Sequence, residues 1–174
     1  MKQRRITCAV CAIIISIFTI MLVHSGSGPL RLHIMANSDS EQDQNVKLLV
    51  RDAILEYTSD DILQTGGKLG AEKYVSDHLD EIVAVANETL SENGFDYTAT
   101  ANMGVYDFPD RTYSGVLYPA GKYDALRITL GEGDGHNWWC VMFPPLCIVD
   151  TKAQSGETVE YRSAIWDLIT EKKP

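Results

Sequence analysis

The sequence predicts an α+β domain, with helices packed on one face of a small, mostly antiparallel sheet, carried behind an N-terminal export or transmembrane segment. Three observations predict it. Residues 6–23 form an apolar run with no charge behind a basic start; residues 31–58 read as a short strand breaking into an amphipathic helix; residues 95–130 alternate with period two between turn signals.

The N-terminal segment comes first. Lys2, Arg4 and Arg5 precede the run from Ile6 to Val23, and about 18 apolar residues lie at the lower limit for spanning a bilayer and above the length of an ordinary signal-peptide core. A cleaved signal peptide and an uncleaved signal anchor both fit. Ser25, Gly26 and Ser27 offer a cleavage site, and Gly28 with Pro29 makes a linker. The expected division is 1–27 for the signal or anchor and 28–174 for the exported domain, on the far side of the membrane from the basic end.

Of 15 basic and 24 acidic residues, only three basic ones lie before Gly28, which leaves the exported part with 12 basic against 24 acidic residues, net −12. A domain so charged is repelled by phosphate backbones and by anionic lipid surfaces, which argues against nucleic acid and for a neutral or basic partner.

In Arg31 to Ala36, Arg31, His33 and Met35 alternate with Leu32, Ile34 and Ala36, the pattern of a strand with one buried face. Ser38 followed by Glu41 has the spacing of a capping box, and Asp39, Glu41 and Asp43 place negative charge on the first helical turn. The helix then carries Val46, Leu49, Val50, Ala53, Ile54 and Tyr57 on one stripe, with Asp43 and Lys47 as an i, i+4 pair on another, and ends by Thr58. Asn37, Ser38 and Asp39 thus occupy a strand-to-helix turn. They cap the helix, or they also address a partner.

Residues 60–70 read as a loop or a short helical piece, closing on Gly66, Gly67 and Gly70. A second helix follows, with Ala71, Tyr74, Val75, His78, Ile82, Val85, Ala86 and Thr89 on its stripe and Asn93-Gly94 as its stop. His78 lies on that stripe and reads as a packed histidine. Strands are expected from Phe95 to Phe108, from Thr112 to Tyr118 and from Tyr123 to Leu130, joined as antiparallel hairpins. Residues 131–135, GEGDG, form a flexible acidic loop whose carboxylates would repel a phosphate and whose spacing does not match an EF-hand.

Asn137 to Cys147, NWWCVMFPPLC, is the most aromatic stretch of the domain. As neighbours in a strand, Trp138 and Trp139 point to opposite faces, which leaves one either in the core or exposed to a partner. Cys140 and Cys147 form a disulfide on the argument of an oxidising compartment, two buried thiols being the alternative. A last helix carries Tyr161, Ala164, Ile165, Leu168 and Ile169 on one stripe.

Catalytic constellations are weak. His136 and Cys140 are close in sequence, but a disulfide would consume the nucleophile, and Ser38 with His33 and Asp39 or Asp43 lacks the Gly-x-Ser-x-Gly elbow. His24, His33, His78 and His136 show no metal-binding spacing, so no metal and no cofactor are expected.

HIMANSDSEQDQNVKLLVRD, beginning at His33, and YPAGKYDALRITLGEGDGHNWWCVMFPPLC, from Tyr118 to Cys147, resemble the stage II sporulation protein R family of endospore-forming bacteria, over roughly Leu30 to Val149. The resemblance implies a signalling protein and not an enzyme. Such a protein is made in the forespore, exported into the space between two membranes, and needed to activate a membrane-embedded aspartic protease that processes the precursor of the sigma-E transcription factor. It implies a protein partner and no small-molecule substrate. Asn37, Ser38, Asp39 and Asp43, with Trp138 or Trp139, are the expected contact. An exported cell-wall hydrolase and a structural tether between membranes are the competing readings.

Overall fold

A computed structural model describes residues 28–113 and 115–147. The N-terminal apolar run, the expected cleavage site and the C-terminal helix lie outside these residues. Among the described residues no helix is long and apolar enough to cross a membrane.

The chain enters directly into β1 (Leu30–Met35). It continues through α1 (Glu41–Gln64), α2 (Lys68–Asp77) and α3 (Leu79–Glu92), then β2 (Ala99–Phe108), β3 (Arg111–Tyr113), β4 (Val116–Tyr118), β5 (Gly121–Leu130) and β6 (Asn137–Phe143). The main sheet has the order β2-β5-β1-β6, and β3 and β4 form a separate hairpin. β5 pairs antiparallel with β2 over their ten residues, and β6 pairs antiparallel with β1. β1 and β5 run parallel, Arg31 opposite Ala125 and Met35 opposite Thr129. The sheet is therefore mixed, because three helices intervene before β2 and the chain returns through β5 to lie beside the first strand.

Leu30, Leu32 and Ile34 of β1 and Leu126, Ile128 and Leu130 of β5 form the floor of the core, and Val46, Val50, Ile54, Ile62, Ile82 and Leu90 cover it from the helices. Each such side chain, fully buried, stabilises the fold by roughly 1.5–3 kcal/mol.

Three expectations about the helices need correction. α1 runs to Gln64, past Thr58, so the first part of the segment 60–70 continues that helix and is not a loop. Its buried face is also rotated. It comprises Asp43, Val46, Lys47, Val50, Ile54, Thr58 and Ile62, whereas Leu49 and Tyr57 are exposed. Polar residues within the buried stripe hid its true centre: Thr58 Oγ1 donates to the Ile54 carbonyl, and Lys47 and Asp43 find partners described below. The expected second helix is two helices, broken at His78 with no proline or glycine to announce the break. The His78 backbone N–H reaches Tyr74 O and Val75 O, its Nδ1 lies 2.8 Å from Tyr74 O, and its ring stacks on Tyr74. The Asn93-Gly94 stop is as read, with Gly94 at φ 80°.

β1 was expected to bury one face, but it is central and buries both. On the side away from the helices the Arg31 guanidinium is fully buried. It lies 4.5 Å from the Phe108 ring centre and 5.0, 5.8 and 5.7 Å from those of Tyr123, Tyr113 and Tyr118, while its Nε donates to the Cys140 carbonyl at 2.8 Å. The expected strand 112–118 is in fact this β3–β4 hairpin, with Gly115 at φ 80° in its turn. It folds over β1 and supplies two rings of the cage.

Candidate functional site

At the C-terminal end of β1 the chain turns through Asn37–Ser40 into α1. Ser40, and not Ser38, is the N-cap, its Oγ accepting the Asp43 N–H at 3.1 Å. Ser38 serves Asp43 instead. Its hydroxyl donates to Asp43 Oδ2 at 2.5 Å, Asn37 Nδ2 donates to the same oxygen at 3.0 Å, and the Tyr97 hydroxyl donates to Oδ1 at 2.6 Å. Asp43 is only 5% exposed. Burial acts to raise its pKa, but the hydrogen bonds from Ser38, Tyr97, Asn37 and Ser40 outweigh burial and hold it below the ordinary carboxylate range. Burial, and then the bond to Asp43, push the Tyr97 phenol up.

The GEGDG segment closes onto this turn and is not a free loop. Glu132 N–H donates to Asn37 Oδ1 at 3.0 Å, Asp134 N–H to Asn37 O at 3.2 Å and Gly135 N–H to Ala36 O at 2.9 Å. A Cβ at Gly131 would strike the Asn37 side chain, and one at Gly135 the Ser38 carbonyl, so the close approach requires glycine at both places. The segment ends at His136, whose N–H donates to Asp39 Oδ1 at 2.6 Å and whose Nδ1 lies 2.5 Å from the same oxygen. The His136 backbone bond is the main cause of the lowered Asp39 pKa. Lys47 closes the circuit from α1, donating to the His136 carbonyl at 2.8 Å and to Gln44 Oε1 at 2.6 Å.

The expected contact residues thus separate. Asn37, Ser38 and Asp43 are held in internal bonds that shape the turn. Asp39 stands at the surface beside His136, their side chains 56% and 79% exposed. Trp138 and Trp139 do point to opposite faces, opposite Ile34 and His33 of β1 respectively, but both are half-buried. Arg51 of α1 lies 4.4 Å over the Trp138 ring. Trp139 stacks on His33 at 3.8 Å between ring centres, with Phe108 edge-on at 4.8 Å, and its carbonyl accepts the Tyr113 hydroxyl at 2.8 Å. Burial, with a smaller contribution from Arg127, lowers the His33 pKa to about 4 against a favourable contact with Asn137.

The residue types of a nucleophilic triad are not brought together. The Ser38 hydroxyl is engaged by Asp43, the His33 ring stacks on Trp139 across the sheet, and Cys140 is bridged to Cys147. Among the described residues no three His, Cys, Asp or Glu side chains could hold a metal ion. Sequence reasoning missed the Asp39–His136 pair, the Lys47 tie and the Asp43–Tyr97 bond. Their sequence separations of 97, 89 and 54 leave no local pattern to find.

The disulfide has a Cα–Cα distance of 6.3 Å and fastens the chain after β6 back onto it, where the Val141 N–H also meets Cys147 Sγ. With a separation of only seven residues, opening it is expected to cost about 2–3 kcal/mol by chain entropy. Residue-resolved thiol alkylation checks the bridge: Cys140 and Cys147 should react only after reduction, and equal reaction without reduction would contradict it.

A mixed α+β sheet under three helices, closed by a disulfide and a buried carboxylate network, is the scaffold on which family comparison can be made. The chain matches the Stage II sporulation protein R family over residues 27–153 and belongs to that family. Stage II sporulation protein R of Bacillus subtilis (strain 168) is 41% identical to it over 131 residues, 75% of this chain. The matched region spans 58% of that relative's length. No solved structure matches the chain.

Proposed function

We propose that this chain is an exported sporulation signal. It is secreted from the forespore into the intermembrane space, activates a membrane-embedded aspartic protease there, and so leads to processing of the sigma-E precursor without itself catalysing a reaction. Membership of the stage II sporulation protein R family carries this reading. The acidic charge of the exported part and the export segment read from the sequence accord with it.

An activator of this kind shifts its target by binding the active arrangement more tightly than the resting one. Asp39 and His136 suit such a contact, because they stand exposed on a turn that Asn37, Ser38, Asp43 and Lys47 make rigid, so little ordering entropy is lost on binding. Trp138 and Trp139 lie half-buried on opposite faces of the strand that follows and are the remaining residues of the proposed contact. The test is reconstitution in a non-sporulating host of the exported chain, the protease and the precursor. Cleavage should depend on the chain, and Asp39→Ala should lower it by at least about fivefold, the lower end of ordinary coupling between sites. Cleavage without the chain overturns the proposal. Full activity of a folded, secreted Asp39→Ala variant overturns the contact alone.

A further inference from the structure

Among the described residues, seven buried side-chain nitrogen and oxygen atoms have no hydrogen-bond partner, and five of the seven belong to Arg31, His33 and Arg127. These three side chains share one face of the sheet. His33 lies opposite Arg127 in the parallel pairing of β1 with β5, and Arg31 is two residues before His33, on the same side of β1. This face is turned away from the helices, since Leu32, Ile34, Leu126 and Ile128 on the other side form the core.

At the level of His33 the register aligns one residue from each strand: Asn102 of β2, Arg127 of β5, His33 of β1 and Trp139 of β6. Contacts join the row. Trp139 stacks on His33, the Arg127 charge acts on His33, and the Arg127 guanidinium carbon lies 4.3 Å from the Tyr106 ring centre. Tyr106 is itself laid across Gly104, where a Cβ would meet its hydroxyl at 3.0 Å. Asn137 approaches His33, but neither ring nitrogen gains a hydrogen bond. Arg31 is sealed beneath the β3–β4 hairpin, whereas Arg127, Tyr106 and Trp139 are half-buried and Asn102 is exposed, so this row is the open part of the face.

Charge sets the face apart. No strand residue on it is acidic, for Asp107 and Asp124 point to the other side, where Asp124 bonds Lys68 of α2. Arg127 makes no ion pair among the described residues. Charges withdrawn from water are ordinarily paired, and residues 28–174, at net −12, had acids to spare. The domain as a whole favours a neutral or basic partner; this face is the exception. His33 is neutral at pH 7, burial having lowered its pKa to about 4, so the open row offers the single positive charge of Arg127. One carboxylate balances that charge, and a phosphate dianion would not. The row crosses all four strands, a surface suited to an extended segment, and Arg with Tyr and Trp is the residue set that anchors protein interfaces. A second copy of the chain would bring its own excess of acid against the first.

We propose that this row is a docking site for an acidic segment of a protein partner, one aspartate or glutamate carboxylate taking the fork of the Arg127 guanidinium, with His33 beside it and the Tyr106 and Trp139 rings as walls. Trp139 is shared with the contact proposed above; Arg127, Tyr106 and Asn102 are not. The inference rests on no property of the protease.

The full chain, labelled with nitrogen-15 and held in a non-ionic maltoside detergent, is titrated with the blocked peptide acetyl-Gly-Glu-Gly-Glu-Gly-amide, with its glutamine counterpart and with inorganic phosphate. The Arg127 Nε–Hε signal is followed by NMR. The glutamate peptide should shift it saturably and bind at least about tenfold more tightly than the glutamine peptide, the least that loss of a hydrogen bond to a charged group costs. On the peptide's own signals, Arg127→Gln should weaken binding by at least about tenfold, and Arg111→Gln, on the hairpin, should leave it unchanged. Absence of a saturable shift overturns the site, and so does equal binding of the two peptides. Phosphate binding more tightly than the glutamate peptide overturns it in favour of an inorganic anion, and unchanged binding by Arg127→Gln overturns the assignment to this row. The titration of the parent chain does not depend on any variant folding. No protease enters the measurement, so its failure and failure of the signalling role are distinguishable.

Discussion

Arg31→Ala is expected to destabilise the domain by about 3–5 kcal/mol, the range for emptying a large buried site. The guanidinium is wholly enclosed, it holds the β6 backbone through Cys140 O, and four rings from β2, β5 and the hairpin pack around it. Truncation opens a cavity and frees the hairpin at once. Charge is not the main loss. Among the described residues neither Nη nitrogen has a hydrogen-bond acceptor at good geometry, and burial lowers the group's pKa despite the surrounding tyrosines. Arg31→Met, which keeps the volume and removes a poorly satisfied buried cation, should therefore cost about 1–2 kcal/mol or less. Urea denaturation of the two variants separates packing from charge. Similar midpoints for Arg31→Ala and the parent would show that the cage contributes little.

Asp43→Ala is expected to cost about 2–4 kcal/mol, because it leaves the Asn37 amide, the Ser38 hydroxyl and the Tyr97 hydroxyl without their buried acceptor. The melting temperature should fall by about 10 °C, on the usual scaling for a domain of this size. Asp39→Ala should leave stability nearly unchanged, since both members of that pair are exposed. A thermal melt that ranks the two variants in the opposite order would reverse the structural roles assigned to them. Acid should act through the same carboxylate. The Asp43 pKa is lower folded than unfolded, so its contribution is present above the unfolded value of about 3.9 and is lost as pH falls through the folded value. His33 adds an earlier phase. Its folded pKa of about 4 lies below the unfolded 6.5, so between these values the unfolded chain takes up a proton that the native one refuses, and stability declines as pH falls through that interval.

The strand-turn-helix from Arg31 as far as Thr58, the strands around Met103 and Ile128, the Asn93-Gly94 stop and the opposite facing of Trp138 and Trp139 were legible because each is set by neighbours within one or two turns of chain. The Cys140–Cys147 bridge was legible for the same reason, its two cysteines lying only seven residues apart. The family was legible in two long words of sequence. Helix continuity across His78 was misread, since the break is made by a histidine that bonds its own preceding turn and not by a residue type that breaks helices.

The candidate site was legible only as a list. Sequence placed Asn37, Ser38, Asp39 and Asp43 together in one turn, but burial of Asp43 depends on Tyr97, and the poise of Asp39 depends on His136. By itself, then, the sequence determined the α+β class, the acidic charge and the family. Those follow from local periodicity, composition and contiguous motif. Only the tertiary structure decided that β1 lies parallel to β5 at the centre of a mixed sheet, that Arg31 and His33 are buried, and that Asp43 supports the turn while Asp39 is presented. Each of these is a contact between residues far apart in the chain, and its energy exists only once the sheet has brought them within bonding distance.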